Sequence, residues 1–305
     1  MCHTLRFLGP RSYWLIVAFA IVLHSPSANA QVKEEPIDPK FNTFTKGMNN
    51  PDAAEVVKVL NGAAPFDGSA AALFSEYFEK QLYPHLTLKA NTASWAKNKL
   101  EIKRKFFNSA KTPQQEALNL LNEVSLKKMS EYANDNYNIV CRYNAMLFIG
   151  EQLNQSFPAD KKTVPMPEAL IELEKAALNG NLPPAVRIAA MIGLKRHAEL
   201  GVPEDKKKAL SDMMLKLVAA KAPAAGISKE GHDWLRRRAA EVCVALGQNT
   251  PDVKKIMEEN KPLEALPGVM DLPGLPVGPE TTPDPTDPAK PDADPSVDPL
   301  GVPTK

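Results

Sequence analysis

The hydrophobic and polar positions between residues 112 and 250 alternate with the period of an α-helix. In the first such segment the apolar positions are Ala117, Leu120, Leu121 and Val124. This spacing places them on one face of a helix. Helices of the same kind are predicted to begin near residue 112, at Pro167 and near Pro203, where proline or acidic residues occupy the first turn. Each is followed by a second helical segment, so the pattern predicts three consecutive helix pairs.

The three second segments share a short motif, in which an arginine is followed by any residue, then by alanine or asparagine, then by alanine. The segments are Val140–Gly150, Ala185–Lys195 and Leu235–Ala245, and their arginines are Arg142, Arg187 and Arg237. The arginines are 45 and 50 positions apart. A two-helix unit repeated at this interval is typical of an α-solenoid, in which each unit packs against its neighbours.

This motif resembles the second helix of the HEAT-repeat family, which carries the pattern V-R-x-A-A-x-x-A-L-G. The run Val186–Ala190 matches the pattern best, and the segments around Arg142 and Arg237 match it less fully. The resemblance covers about residues 112–250. It implies an all-α fold, a right-handed α-solenoid of about three HEAT-like helix pairs.

The resemblance also implies a structural role for the repeated arginine, which in the family reaches toward an aspartate near the turn of the pair. Six positions before the arginines this chain has no aspartate, but Asn136, Asn181 and Gly231. The guanidinium groups are therefore expected to bind either backbone carbonyls at the C-termini of the first helices or the carboxylates of Asp135 and Asp233. A buried guanidinium without an acceptor would be costly. The alternative is that Arg187 binds a ligand in an inner groove.

The two ends of the chain differ from the middle. A basic start with Arg6 and Arg11, the apolar run Tyr13–Leu23 and a small-residue cleavage site before Gln31 predict a secretory signal peptide, with an uncleaved anchor as the alternative. No later segment is apolar for long enough to span a bilayer, so no stable membrane span is expected after cleavage. Residues 262–305 contain twelve prolines and four Asp-Pro steps, which predicts a disordered tail.

Four parts of the chain follow from these patterns. They are a signal peptide at 1–30, a helical N-terminal capping region at 31–111, the HEAT-like repeat region at 112–261 and the Pro/Asp-rich tail at 262–305. In the capping region, short helices are predicted at Pro51–Leu60, Ala70–Leu82 and Trp95–Phe107. Such an irregular region is expected to cover an open end of the solenoid, because end repeats expose apolar surface.

Charge separates the repeat region from the tail. The 305-residue chain has 37 basic and 36 acidic residues, but residues 31–261 hold 33 basic and 28 acidic residues, a net charge of +5, while residues 262–305 have −6. A mildly basic region can attract an acidic segment or polymer; independent solvation of the two regions is the alternative. Nucleic acid is not an expected partner, because the chain is predicted to be exported and stacking aromatics are mostly lacking among its basic clusters.

Residues suited to catalysis or metal binding are few. Cys141 and Cys243 remain after signal cleavage, without a CxxC motif, and are expected to be two buried thiols. The histidines show no metal-ligand spacing, and no GxSxG motif, phosphate-binding glycine loop or GxGxxG motif is present. Two SxxK matches, at Ser94 and Ser125, are expected by chance in a lysine-rich helical chain. Asn154–Ser156 forms a glycosylation sequon. The sequence therefore predicts neither an enzyme nor a cofactor.

The predicted function is a non-catalytic binding or scaffolding module that is exported to the periplasm, the cell envelope or the exterior. Its partner is expected to be a protein or an acidic envelope polymer that binds a helical surface, with Arg236 and Arg238 as exposed contact candidates. One alternative is a hydrolase or lyase on a helical scaffold, with an acidic site that sequence does not reveal. Another is a structural spacer or tether that acts through the tail.

Overall fold

Helices dominate the computed structural model, which describes residues 32–108, 114–156, 163–224 and 226–259. The predicted signal peptide and tail, and positions 112 and 113, lie outside these residues. Within them there are eleven α-helices. The N-terminal four are α1 (Phe44–Met48), α2 (Pro51–Leu60), α3 (Gly68–Glu76) and α4 (Trp95–Ile102). The other seven are α5 (Gln115–Asn134), α6 (Ile139–Gln152), α7 (Pro167–Leu178), α8 (Pro184–Leu200), α9 (Glu204–Ala219), α10 (Lys229–Ala245) and α11 (Pro251–Glu259).

The helices predicted in the capping region are confirmed, and two of them end in unusual geometry. α3 continues as a π-helical turn at Tyr77–Leu82, and α4 continues as another at Lys103–Phe107. Short 3₁₀ turns cover Pro39–Phe41, Tyr83–Leu86 and Lys89–Ser94. The sequence predicts Asn50 and Ser69 as the caps of α2 and α3; Asn50 does cap α2, but the cap of α3 is Asp67 rather than Ser69.

Aromatic side chains join the N-terminal helices to the first helix pair. Phe148 of α6 meets the edges of two rings from that region, Tyr83 at 6.2 Å and Phe107 at 5.6 Å between centroids. Edge-to-face contacts of this kind are favourable beyond the burial they provide. Trp95 is fully buried, and its indole N–H donates to the carbonyl of Leu86. The capping region therefore shares one hydrophobic core with the repeat region.

The three predicted pairs are present as α5 with α6, α7 with α8, and α9 with α10. The second helices also pack in chain order, α6 against α8 and α8 against α10. A short antiparallel ladder of β1 (Asn154–Ser156) and β2 (Val164–Pro165) connects the first pair to the second. This arrangement of packed helix pairs is compatible with a helical repeat fold.

Two glycines set the distance between α6 and α8. A β-carbon on Gly150 would lie 2.5 Å from the α-carbon of Gly193, and one on Gly193 would lie 2.8 Å from the α-carbon of Gly150. The two helix backbones are therefore in direct contact. Glycine weakens a helix interior, and the close approach explains why the helix of Arg187 carries one.

None of the helices in the described ranges is long and apolar enough to cross a bilayer.

Candidate functional site

Two of the repeated arginines make the same contact with their partner helix. Nε of Arg142 donates to the carbonyl of Ala133 at 3.1 Å, and Nε of Arg187 donates to the carbonyl of Ala177 at 3.0 Å. Each acceptor is the next-to-last residue of the first helix of its pair. The last carbonyls of a helix lack partners within the helix and carry partial negative charge, so a cation is favourable there.

In the third pair the residue that makes this contact is Arg236. Its Nε donates at 3.0 Å to the carbonyl of Val218, again the next-to-last residue of the first helix. The neighbouring Arg237 instead binds the carbonyl of Met257 near the end of α11, at 2.9 Å, and pairs with Glu241. The geometry thus places Arg236, rather than Arg237, in register with the other two arginines.

The aspartates considered as acceptors have other partners. Asp135 pairs with Lys33 at 2.5 Å, and Asp233 pairs with Lys229 at 3.5 Å. Of the two kinds of acceptor left open by the sequence, the arginines use the backbone carbonyls.

Arg238 lies on α10, the second helix of the third pair. It is half-buried rather than exposed, and so is Arg236. Its Nη1 donates to Glu241 at 2.7 Å, and its guanidinium lies 5.7 Å from the ring centre of Trp234. Burial raises the pKa of the Tyr143 phenol, and the charge of Arg238 acts in the opposite direction. The charge of Arg238 on α10 therefore acts on Tyr143 of α6.

Half-buried side chains occur on all three second helices. We call Tyr143, Ile188, Ile192, Trp234 and Arg238 together the second-helix surface. Tyr143 and Ile188 each directly follow an in-register arginine, so they occupy equivalent positions on α6 and α8. In Arg238 the Nε atom is buried and has no hydrogen-bond partner among the described residues. The surface thus combines two aromatic rings, two aliphatic side chains and a cation with an unused donor.

Sequence reasoning identified Arg238 but missed Tyr143 and Trp234. The sequence signal that could have identified them is a large aromatic residue at a position where another repeat has a small or aliphatic residue. Trp234 aligns with Ala185 once Arg236 is placed in register with Arg187.

A second polar cluster holds the N-terminal segment to the first pair. Glu35 accepts hydrogen bonds from Lys128 at 2.6 Å, from the hydroxyl of Tyr132 at 2.8 Å and from that of Tyr137 at 3.2 Å. Glu131 pairs with the same lysine at 3.0 Å. Burial alone would lower the pKa of Lys128, but the two carboxylates raise it. The partners satisfy one another, so the cluster is an anchor rather than an open site.

Three residues singled out in the sequence are inaccessible. Cys141 and Cys243 are buried free thiols, as predicted, and burial raises their pKa to about 12 and about 11. Asn154 of the sequon is 5% exposed, its amide nitrogen donates to the carbonyl of Gln152, and its oxygen accepts from Arg196 at 2.6 Å. The folded chain therefore offers no free amide for glycan transfer.

A pocket lined by two or more acids of raised pKa would favour the enzymatic alternative. Among the described residues the pKa is raised for one carboxyl group, Glu174 of α7, where burial raises it and the charge of Lys206 opposes the shift. No set of three histidine, cysteine or acidic side chains in the same residues is arranged to hold a metal ion.

No known protein family, curated protein or solved structure matches the chain. The functional argument therefore depends on the geometry of the chain itself.

Proposed function

We propose that this chain is an exported, HEAT-like α-solenoid that acts as a non-catalytic binding module of the cell envelope. In this proposal the second helices line the binding side, and the second-helix surface contacts a protein or an acidic envelope polymer. The packing of α6, α8 and α10 in chain order supports a solenoid, because such folds present one row of helices as an extended surface. The N-terminal sequence pattern supports export.

The observation that carries the proposal is the environment of Arg238. Its guanidinium is held beside Trp234, its charge acts on Tyr143, and its Nε makes no hydrogen bond within the described chain. Tryptophan, tyrosine and arginine are the residue types most enriched among those that dominate binding energy at interfaces. Both Arg238 and Trp234 are half-buried, so part of each side chain is open to a partner.

The test is cross-linking capture from envelope extract with the chain from residue 31 to 305. Arg238→Gln and Trp234→Ala are compared with the unchanged chain, and Lys216→Gln is the control because it removes the same charge from an exposed position on α9. Captured partner should be lost in the first two variants and retained in the control, with thermal unfolding confirming that all variants fold. Equal capture by all four chains would reject the second-helix surface as the binding site.

A further inference from the structure

The three in-register arginines differ in what surrounds them. Arg187 is 6% exposed, so its guanidinium is enclosed between the helices of its pair. Arg236 is half-buried and lines a pocket of about 310 Å³. The pocket lies where α9, α10 and α11 meet, and its other charged residues are Lys221, Asp252, Lys255 and Glu259. The same structural contact is therefore closed in the second pair and open to solvent in the third.

The hydrogen bond to Val218 uses only part of the guanidinium of Arg236. Nε donates to the carbonyl and fixes the plane of the group, while the two Nη atoms make no hydrogen bond or ion pair within the described residues. A guanidinium has five N–H donors in a rigid fork, and a planar oxyanion can accept two of them at once. The hydrogen bond from Nε therefore orients the guanidinium of Arg236, and its two Nη atoms can bind a ligand.

The balance of charge in the pocket favours an anion. Lys255 pairs with Glu259 at 3.7 Å, which leaves the two charges largely compensated. Asp252 lies in the first turn of α11, where the positive end of the helix dipole favours a carboxylate. Lys221 makes no ion pair among the described residues. The three cations of the pocket exceed its two carboxylates by one positive charge, and neither Arg236 nor Lys221 has an ion-pair partner among the described residues.

We propose that this pocket, formed by Arg236, Lys221 and Lys255, binds an oxyanion group, either a carboxylate or a phosphate, of an acidic partner. Its apolar wall from Val218, Ala219 and Ile256 limits competing hydration, and the fork of Arg236 provides bidentate binding. The proposal rests on the proposed function in taking the partner to be acidic. The proposal adds a specific contact for that partner, at a pocket that is separate from the residues of the second-helix surface.

The experiment titrates the chain from residue 31 to 305 with inorganic phosphate and, separately, with hexaglutamate, at constant ionic strength. Calorimetry and thermal unfolding give the readout, because a ligand that binds the folded state raises the unfolding temperature as its concentration exceeds Kd. Lys221→Gln and Lys255→Gln remove one pocket charge each. Lys254→Gln is the matched control, because Lys254 is the exposed neighbour of Lys255 and does not line the pocket.

Saturable binding that weakens about tenfold or more when the two pocket lysines are replaced together, and that persists in the Lys254→Gln control, supports the proposal. Preference for phosphate or for hexaglutamate then identifies the source of the oxyanion. Binding that is absent, or equally strong in all variants, overturns it. If neither ligand binds the pocket but Arg238→Gln still abolishes partner capture, the proposed function stands without this pocket. If the pocket binds a ligand but Arg238→Gln leaves partner capture unchanged, the second-helix surface is rejected instead.

Arg236→Lys provides a second variant that preserves the charge. A lysine ammonium can replace the contact with Val218 but does not provide a planar fork. Loss of oxyanion binding with retained unfolding temperature is the expected result. Retained binding in this variant would mean that charge alone attracts the ligand, and would overturn the bidentate site.

Discussion

Gly150 and Gly193 face each other where α6 packs against α8, so closely that a β-carbon on either one would overlap the α-carbon of the other. Gly150→Ala is expected to destabilise the chain by about 1–3 kcal/mol, because the two helix backbones must separate. Urea unfolding measures the change. Gly231→Ala is the control, since a β-carbon there meets nothing closer than 3.4 Å, and better helix propensity should stabilise it by up to about 1 kcal/mol. A stabilising Gly150→Ala would show that the helices do not touch in solution.

The register of the third pair predicts different effects for two adjacent arginines. Arg236→Met should weaken the α9–α10 contact by about 1–3 kcal/mol, as expected for the loss of a hydrogen bond from a charged group. Arg142→Met and Arg187→Met should have effects of similar size in their own pairs. Arg237→Met should instead loosen α11, whose carbonyls it binds.

Amide hydrogen exchange distinguishes the two changes. Faster exchange is expected at the end of α9 in Arg236→Met and in α11 in Arg237→Met. The reverse pattern would restore Arg237 as the equivalent of Arg142 and Arg187.

His197 should make stability depend on pH. It is 2% exposed, its Nε2 has no hydrogen-bond partner in the described part of the chain, and burial together with the charge of Arg196 lowers its pKa from 6.5 to about 4. Between these values the unfolded chain binds more protons than the folded chain, so stability falls as the pH decreases from about 6.5 toward 4. The expected loss from His197 between pH 7 and pH 5 is about 2 kcal/mol.

Urea unfolding of the unchanged chain and of His197→Gln at both pH values measures this contribution. The variant should lose less stability on acidification than the unchanged chain. Its remaining pH dependence is expected to include His85, whose pKa is lowered by burial. An identical pH dependence in both chains would show that His197 is not buried in the neutral form.

Glu35→Gln should release the N-terminal segment without unfolding the helix pairs. The variant loses the ion pair with Lys128, and it weakens the bonds from Tyr132 and Tyr137. A local cost of about 1–3 kcal/mol is expected for charged hydrogen bonds of this kind. Limited proteolysis should then cleave around residues 32–38 more rapidly. Glu55→Gln, which loses only an exposed pair with Lys58, should be cleaved at the unchanged rate.

The helix pairs were predictable because each follows from a local pattern. Apolar spacing, prolines and capping or acidic residues indicate where α2, α7 and α9 begin, and these signals lie within one turn of the boundary. The helical core of the repeat region could therefore be located without structural information.

The register of the third pair was not predictable in the same way. Arg236, Arg237 and Arg238 are consecutive, and a motif of one arginine and two small residues does not determine which of them faces α9. The rotation of α10 against its neighbours decides this. The cluster around Glu35 was even less predictable from the sequence, because Glu35 and Lys128 are 93 positions apart. No local pattern indicates that these two residues are in contact.

The arginine contacts at Ala133, Ala177 and Val218 all end on main-chain oxygens. Every residue type provides that oxygen, so substitution at the acceptor position leaves the acceptor in place, and acid does not protonate it. Only the donor side of each contact is therefore open to mutation. The sequence of the first helix in each pair can therefore change extensively without loss of these hydrogen bonds. The one requirement is that each second helix keeps its arginine.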